Sequence, residues 1–370
     1  MRVFVIGLRG FPDVAGGVES HCEHLYSALV KKNVDVSVIV RSPYVSHGGP
    51  PTWNCISFVK IWSPVTPGVE ALVHSLIGVL FSAIKRPNIL HIHSIGPAIF
   101  TPLARLVGLK VVVTHHASDY NQAKWGLLGR SLLRAGEAMA ARFANELICV
   151  SRHGAAEIEL HYGRKPIVIP NGVVLSEDNG NREFIKSFGL VPGRYFLHVG
   201  RAIPDKRQDD LLEAFSMVAR PGWKLVLVGD LTGSDKYSQR VRALAKVDKR
   251  VILAGFRSGL ALKSLYGYAG CFVMPSSYEG FPIALLEALS FGVPVIASDI
   301  PAHREVELPV SSYFSVGNVP GLADLMMTGN QFSGDETWTK LRAFVNRRYN
   351  WDAIAEQVKM VYKEIMTPAA

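Results

Sequence analysis

Two hydrophobic patterns alternate along the chain. Short runs rich in branched apolar residues, bounded by polar or turn residues, read as buried strands. In the first half these are Val3–Ile6, Val34–Val40, Ile89–His93, Val111–Thr114, Leu147–Val150 and Ile167–Ile169. Between them lie longer stretches with helical spacing, among them Val18–Lys31 and Gly129–Arg142. The pattern breaks from Leu175 to Arg194, a polar segment rich in Gly, Asn and Asp near its start that reads as a linker. It then restarts with Tyr195–Val199, Lys224–Val228, Val251–Leu253, Cys271–Met274 and Pro294–Ala297. A last helix, Trp351 to Met366, places Ile354, Val358, Val361 and Ile365 on one face. Alternation of this kind predicts parallel sheets covered by helices. The expected organisation is a first domain over 1–174, a linker over 175–194, a second domain over 195–350 and a C-terminal helix over 351–370.

The two halves open alike. Val5-Ile-Gly7-Leu-Arg9 and His198-Val-Gly200-Arg201 each run a first strand into a glycine turn, the phosphate-facing corner of a Rossmann-like unit. Two such open sheets direct their strand C-termini to a shared cleft, where ligands are expected.

Composition narrows the class. A chain of 370 residues with 48% apolar content is long for one core and ordinary for a globular enzyme of two domains. Cys22, Cys55, Cys149 and Cys271 are scattered without CxxC spacing, which suits a reducing compartment and predicts a cytoplasmic protein. The opening run MRVFVIGLRGF reads as a strand, not a signal peptide. The longest apolar tract, Ala71 to Ile84, is interrupted by His74 and Ser75 and is too short to span a bilayer. It reads as a buried helix, with a membrane-surface helix as the alternative. The formal charge of +9 lies mostly in the first half: 17 Lys/Arg against 10 Asp/Glu over 1–170, and 23 against 21 over 171–370. A basic first half fits an acidic partner or an anionic membrane surface. Nucleic acid is not expected, because no aromatic-plus-basic cluster and no zinc-finger spacing is found.

The most informative stretch runs from Met274 to Ser298. A strand ends near Met274, a loop follows, Pro282 suits the first turn of a helix, and Ile283 onward is helical until Gly292 and Pro294 stop it. The free N–H groups and positive dipole end at Phe281, Pro282 and Ile283 make an anion site suited to a diphosphate. Glu287 lies about 6 Å further along the axis than Ile283, where a carboxylate can hold ribose hydroxyls. Glu279 precedes the helix, next to Gly280, on the sugar side of the phosphates. Glu287 also sits among Leu285, Leu286, Ala288 and Leu289, where a carboxylate needs a partner.

Glu279 through Glu287, with Gly280, Pro282 and Ala288, resembles the E-x7-E signature of retaining glycosyltransferases of the GT-B fold, family 4 in particular. Gly200-Arg201 with Lys206, Pro170-Asn171-Gly172-Val173 and Ala297-Ser298-Asp299 are similar to further elements of that family, in the expected order. Arg207 departs from it, standing where glycine commonly follows the lysine. The resemblance implies an α/β GT-B fold, two Rossmann-like domains facing each other across a cleft, with the C-terminal helix crossing back to the N-terminal domain. It implies a nucleoside-diphosphate sugar as donor and co-substrate, and no cofactor. Arg201 and Lys206 would neutralise the departing diphosphate. No Asp-x-Asp motif is found, so no divalent ion is implied.

The resemblance also assigns Gly16 and Gly17, in Gly7 to Glu19, to the donor phosphates and the acceptor. Val-Val-Thr114-His115-His116 resembles the strand end that carries the family's active-site histidine, which places His116 at the transferring sugar. Asp119 lies close enough to orient substrate hydroxyls. The loop from Tyr120 to Gly126, which contains Lys124, is similar to one common in bacterial enzymes of surface-polysaccharide assembly, rhamnosyl- and mannosyltransferases included. Arg152, after the strand Leu147–Val150, is a further cleft candidate. His91, His93, His115 and His116 occur as two pairs on separate strand ends with no Cys beside them, which does not suggest a metal site.

The expectation is therefore a retaining hexosyl- or deoxyhexosyltransferase acting on a glycan or an undecaprenyl-diphosphate-linked acceptor in lipopolysaccharide, capsule or exopolysaccharide synthesis, peripheral on the inner membrane face. Its rivals are a sugar-nucleotide epimerase on the same architecture and a non-catalytic nucleotide-sugar-binding subunit.

Overall fold

The computed structural model describes residues 1–12, 14, 16–45, 52–66, 68–122, 125–175, 180–328 and 336–367. The chain divides into two compact units, Met1–Gly172 with Trp351–Ala370, and Val173–Asn350.

The first unit is built from β1 (Arg2–Ile6), α1 (Gly17–Lys31), β2 (Asp35–Arg41), β3 (Thr52–Trp53), β4 (Ile56–Ile61), α2 (Val69–Lys85), β5 (Ile89–His93), α3 (Thr101–Leu106), β6 (Val111–His115), α4 (Leu127–Phe143), β7 (Glu146–Cys149), α5 (Arg152–Tyr162) and β8 (Ile167–Val168). The strands form one sheet in the order β3-β4-β2-β1-β5-β6-β7-β8, parallel except for β3. Successive residues of a strand point to opposite faces, and the two cores follow that alternation. Val3, Val5, Val36 and Val38 face one layer with Leu25 and Leu29 of α1; Phe4, Ile6, Ile39, Leu90 and Ile92 face the other with Val79 of α2 and Ala140 of α4. β4 was not foreseen, because Ser57 and Lys60 break its apolar run; it lies next to the sheet edge, where such residues are tolerated.

The helix over Ala71–Ile84 exists but is not a buried one. Its inward face is made by His74, Ser75, Gly78, Val79 and Ser82, while Leu76, Leu80 and Ile84 are exposed, Ile84 by 78%. Small residues let α2 approach the sheet closely: a Cβ on Gly78 would lie 3.0 Å from Ile6 Cγ2.

The second unit contains α6 (Arg182–Ser187), β9 (Tyr195–Val199), α7 (Gln208–Met217), β10 (Lys224–Val228), α8 (Lys236–Val247), β11 (Val251–Gly255), α9 (Gly259–Gly267), β12 (Cys271–Met274), α10 (Ile283–Ser290), β13 (Val295–Ser298), α11 (Pro301–Arg304), β14 (Tyr313–Phe314), α12 (Val319–Thr328) and α13 (Glu336–Arg348). Its sheet has the order β11-β10-β9-β12-β13-β14, with every pairing parallel. The segment read as a linker is thus not simply extended: α6 forms within it, capped by Asn181 Oδ1, which accepts from the Glu183 and Phe184 N–H groups. Residues 176–179 of that segment lie outside the described residues.

The final helix, α14 (Trp351–Met366), belongs to the first unit. Ile354, Val358, Val361 and Tyr362 enter the core that α1 shares with the sheet, and Lys110 Nζ donates to the Ile365 carbonyl. Both units are Rossmann-like α/β folds. Among the described residues no helix is long and apolar enough to cross a membrane.

Candidate active site

In the second unit, β9 ends at Val199 and the chain turns through Gly200 to an exposed Arg201. A short 3-10 turn, Pro204–Lys206, then presents Lys206 to Glu279, Nζ to Oε1 at 2.5 Å, with both side chains largely shielded from water. The two residues are far apart in sequence but follow the ends of adjacent strands β9 and β12, and the Ser277 N–H donates to the Asp205 carbonyl to hold the two loops together. Burial pushes the Glu279 carboxyl up, but the Lys206 ammonium more than reverses this, and the group is held below the usual carboxylate range. His303 and His198, both fully buried, lie in the same electrostatic neighbourhood. Each has Nδ1 bound to a backbone carbonyl, of Ser298 and Val273 respectively, and Nε2 unpaired. Burial holds His198 near 4, hence neutral.

Arg207, the departure from the family pattern, has φ 48°, the left-handed region that favours glycine. The residue before α7 must turn there; Arg207 accepts the strain and pairs with Asp210 at 2.6 Å.

α10 starts at Ile283, one residue later than expected. Pro282 is its N-cap, and the Pro282 carbonyl accepts from the Leu285 and Leu286 N–H groups at 3.2 Å. Phe281 is buried beside Tyr349, while Gly280 and Ile283 are partly exposed. One turn in, Glu287 has the partner that its apolar surroundings demand: Tyr266 Oη donates to Oε2 at 2.9 Å. Desolvation still dominates, and the Glu287 carboxyl is pushed up to about 7.

In the first unit, Gly16 caps α1 and Gly17 is its first residue; a Cβ on Gly17 would meet nothing within 4 Å. Glu19, in the same first turn, binds Arg9 Nε at 3.0 Å. Gly7 is required where β1 leaves the sheet: its φ is 105°, and a Cβ there would lie 2.1 Å from the His93 carbonyl oxygen.

β5 and β6 pair in register, so the two histidine pairs that looked separate in sequence are neighbours. His116 Nε2 and His93 Nδ1 are 2.9 Å apart; His93 Nε2 is 2.5 Å from Tyr26 Oη. Tyr26 Oη also meets His91 Nδ1 at 2.9 Å, which in turn meets Tyr362 Oη of α14 at 2.6 Å. A third ring, His21 of α1, packs edge-on to His116 with centroids 4.8 Å apart. Burial pushes His21 to about 4 and His93 and His116 well below the ordinary histidine range, so all three are neutral imidazoles. His115 points elsewhere, to Glu137 Oε1 at 2.8 Å. Burial alone would lower it, but hydrogen bonds to Cys149 and Glu137 reverse the sign and hold it up at about 10, a buried cation. Asp119 is partly buried and accepts from Gln122 Nε2 at 2.7 Å, and Arg152 is exposed at the start of α5. Lys124 lies outside the described residues.

The structure thus gathers Lys206, Glu279, the start of α10 and Glu287 in one unit, and places Gly16, Gly17, His116, Asp119 and Arg152 in the other. Sequence reasoning did not single out His21, Tyr26, Glu137, Tyr266 or His303. For Tyr266 a signal existed, since Glu287 needed a donor; for His21 none did, since a histidine on the apolar face of a helix reads as core.

Two family descriptions divide the chain: residues 15–177 match Glycosyltransferase Family 4, and residues 181–314 match Glycosyl transferases group 1. The chain is 26% identical over 409 aligned residues to a glycogen synthase of Mycobacterium tuberculosis, covering 98% of this chain and 94% of that one. It is 32% identical over 245 residues to the UDP-Gal:alpha-D-GlcNAc-diphosphoundecaprenol alpha-1,3-galactosyltransferase of Escherichia coli, covering 61% and 62%. Among solved structures, sucrose-phosphate synthase from Thermosynechococcus elongatus superposes over 100% of both chains with a TM-score of 0.84 at 20% identity, a likeness of fold. With two Rossmann-like units and both descriptions met in order, the chain belongs to the group 1 and family 4 glycosyltransferases of GT-B type.

Proposed function

We propose that this glycosyltransferase moves a hexose or deoxyhexose, with retention of configuration, from a nucleoside-diphosphate sugar to a glycan or lipid-diphosphate-linked acceptor of a cell-surface polysaccharide. The observation that carries the reading is the group at the start of α10: a cation, Lys206, held on Glu279 at 2.5 Å ahead of a helix N-terminus, and a second carboxylate, Glu287, one turn further in. Cation and helix start suit the diphosphate, and the flanking carboxylates suit polyol hydroxyls on either side. Arg201, exposed at the end of β9, adds a second cation.

In this reading Glu279 orients the sugar and Lys206, Arg201 and the Phe281–Ile283 backbone take up negative charge as the nucleoside diphosphate leaves. Charge stabilisation of a leaving group is commonly the largest rate term. Lys206 holds Glu279 ionised, so the carboxylate is prepared before the donor arrives. At the α1 N-terminus a Cβ on Gly17 would meet nothing within 4 Å, which suits the approach of a phosphate or an acceptor, while the Glu19 carboxylate lies against Gly16; His116, a neutral imidazole, is assigned to the sugar. Asp119, Lys124 and Arg152 are assigned to the acceptor. The lipid-linked acceptor is supported by the diphosphoundecaprenol substrate of the E. coli relative and by the charge excess of the first half. The exposed Leu76, Leu80 and Ile84 of α2, followed by exposed Lys85 and Arg86, suit a peripheral position on an anionic membrane.

The test pairs a thermal-shift panel of UDP-, GDP-, ADP- and dTDP-sugars with Glu279→Ala. The true donor raises the apparent stability, and the variant loses about 10²–10³ in kcat with that donor. Wild-type transfer rates in Glu279→Ala with every donor would remove the assignment.

A further inference from the structure

Among the described residues one group of three metal-binding side chains converges: His21, His93 and His116, each with a ring nitrogen within 4.8 Å of the others. It is assembled from three elements, the buried face of α1 and the ends of β5 and β6. We propose that these histidines form a binding site for a divalent transition-metal ion of the Zn(II) or Co(II) class, with a fourth position left open.

The tautomers favour it. His21 Nδ1 lies 2.8 Å from Asn171 Oδ1, an atom that only accepts, so Nδ1 carries the proton and Nε2 is a bare lone pair. That lone pair is buried and has no hydrogen-bond partner. An orphaned buried acceptor carries a desolvation cost that an ion would remove. His93 offers the same arrangement. Its Nε2 meets Tyr26 Oη at 2.5 Å, and a tyrosine hydroxyl accepts as readily as it donates, so Nε2 can hold the proton and free Nδ1. Asn171 and Tyr26 thus stand behind two of the three imidazoles as the hydrogen-bonded partners that fix metal-ligating histidines. His116 Nε2 already points at His93 Nδ1, 2.9 Å away.

The geometry needs only small movement. Tetrahedral Zn–N bonds of about 2.0–2.1 Å put ligand nitrogens roughly 3.4 Å apart. The His93–His116 pair opens by about half an ångström and His21 closes by about 1 Å or more, within the reach of ring rotation. His21 and His93 are fully buried and His116 is partly exposed, so His116 is the ligand nearest to solvent. The site does not depend on the role given to His116 above. If that role holds, an ion on Nε2 fixes the ring that meets the sugar, and occupancy controls transfer.

The experiment uses untagged, metal-stripped full-length protein titrated with Co(II). One equivalent is expected to give the intense visible d–d band of a four-coordinate site, and Zn(II) to bleach it. X-ray absorption of the wild-type complex should count three imidazoles. Asn171→Ala should weaken Co(II) binding by about 10–100-fold, His21→Gln should abolish the band, and His24→Gln, on the same helix, should keep it. Circular dichroism checks each variant's fold. No band at saturating Co(II), fewer than three imidazoles in the wild-type complex, or a band that survives in folded His21→Gln would each overturn the proposal. Because the readout is spectroscopic, failure here is distinct from failure of the glycosyltransferase reading.

Discussion

The carboxyl of Glu287 is the best place to test the donor assignment, because its ionisation changes within the working pH range. Desolvation by Leu286, Ala288 and the rest of the α10 surroundings pushes it to about 7, and the Tyr266 hydroxyl only partly opposes this. Ribose hydroxyls donate to a carboxylate, so the ionised form is the binding form. At pH 6 about one molecule in ten is ionised and at pH 8 about nine in ten. Apparent donor affinity scales with the competent fraction, so it should rise about eight- to tenfold between these values, equivalent to roughly 1.3 kcal/mol. Near pH 7 each binding event should release about half a proton. The linked effect on stability has the opposite sense. A carboxyl raised in the folded state contributes stability that is complete below its unfolded value near 4.5 and lost as pH rises through about 7, a loss on the order of 3 kcal/mol without donor. The assay is isothermal titration calorimetry in two buffers of different ionisation enthalpy, with the nucleotide sugar picked by the thermal-shift panel. A nucleotide sugar is used because its phosphates, both esterified, do not titrate in this window, whereas a free nucleoside diphosphate does. His198, held near 4, and His115, held near 10, are silent between pH 6 and 8. A flat affinity over that range, or a slope that persists in Glu287→Gln, refutes the assignment.

Three further outcomes are expected. Glu137→Gln removes the negative charge that balances the His115 cation and turns one of the two carboxylate oxygens, which accept from His115 on one side and from the Tyr120 and Tyr162 hydroxyls at 3.1 and 3.0 Å on the other, into an NH2 donor; urea unfolding should show a loss of about 3–5 kcal/mol. The pair's stabilisation is full only between the unfolded Glu value near 4.5 and the unfolded His value near 6.5; it is lost as pH falls through the lowered Glu137 titration and as pH climbs through about 10. Arg207→Gly exchanges a strain of about 1–2 kcal/mol for the loss of a half-exposed ion pair to Asp210 worth about 0.5 kcal/mol; stability should hold or rise slightly and transfer should be unchanged, whereas a tenfold drop in transfer would give Arg207 a role at the donor. Sedimentation with anionic vesicles at low salt should capture the wild type, and the double change Leu80→Asp and Ile84→Asp should release it, since each apolar side chain contributes about 1.5–3 kcal/mol when buried; equal binding of both proteins would move the membrane contact elsewhere.

Legibility in the sequence followed the range of the interactions. The start of α10 could be read because loop, cap, helix and both carboxylates lie in one stretch, Glu279 to Glu287, and because a glutamate among leucines signals a specific environment by itself. Even there the partner came from elsewhere, Tyr266 on α9, which no local rule selects. α2 was misread for a different reason. Hydropathy places apolar residues inside, but the distance between helix and sheet decides which face is buried. The close approach at Gly78 and Ser82 turned the small face inward and left Leu80 and Ile84 outside.

The histidine cluster shows the same limit at longer range. His91, His93, His115 and His116 were visible as pairs, and separate strand ends argued against a shared site. The strand ends are not separate in space, because β5 and β6 are neighbours in register, a fact of topology and not of spacing. Once paired, they sort by environment. His115 turns to Glu137 and is held cationic. His93 and His116 turn to each other and to His21, where among the described residues no carboxylate balances a proton, and stay neutral. Helix α14 closes the arrangement, bringing Tyr362 to His91 from the far end of the chain. The C-terminal helix is therefore more than a cover for the first unit's core: it fixes the far end of the hydrogen-bonded chain that runs through Tyr26 and His93 to His116. Tyr362→Phe should then disturb the environment of His116 without touching substrate, a shift that the histidine resonances of an NMR titration would report; unchanged resonances would mean that the chain does not transmit past Tyr26.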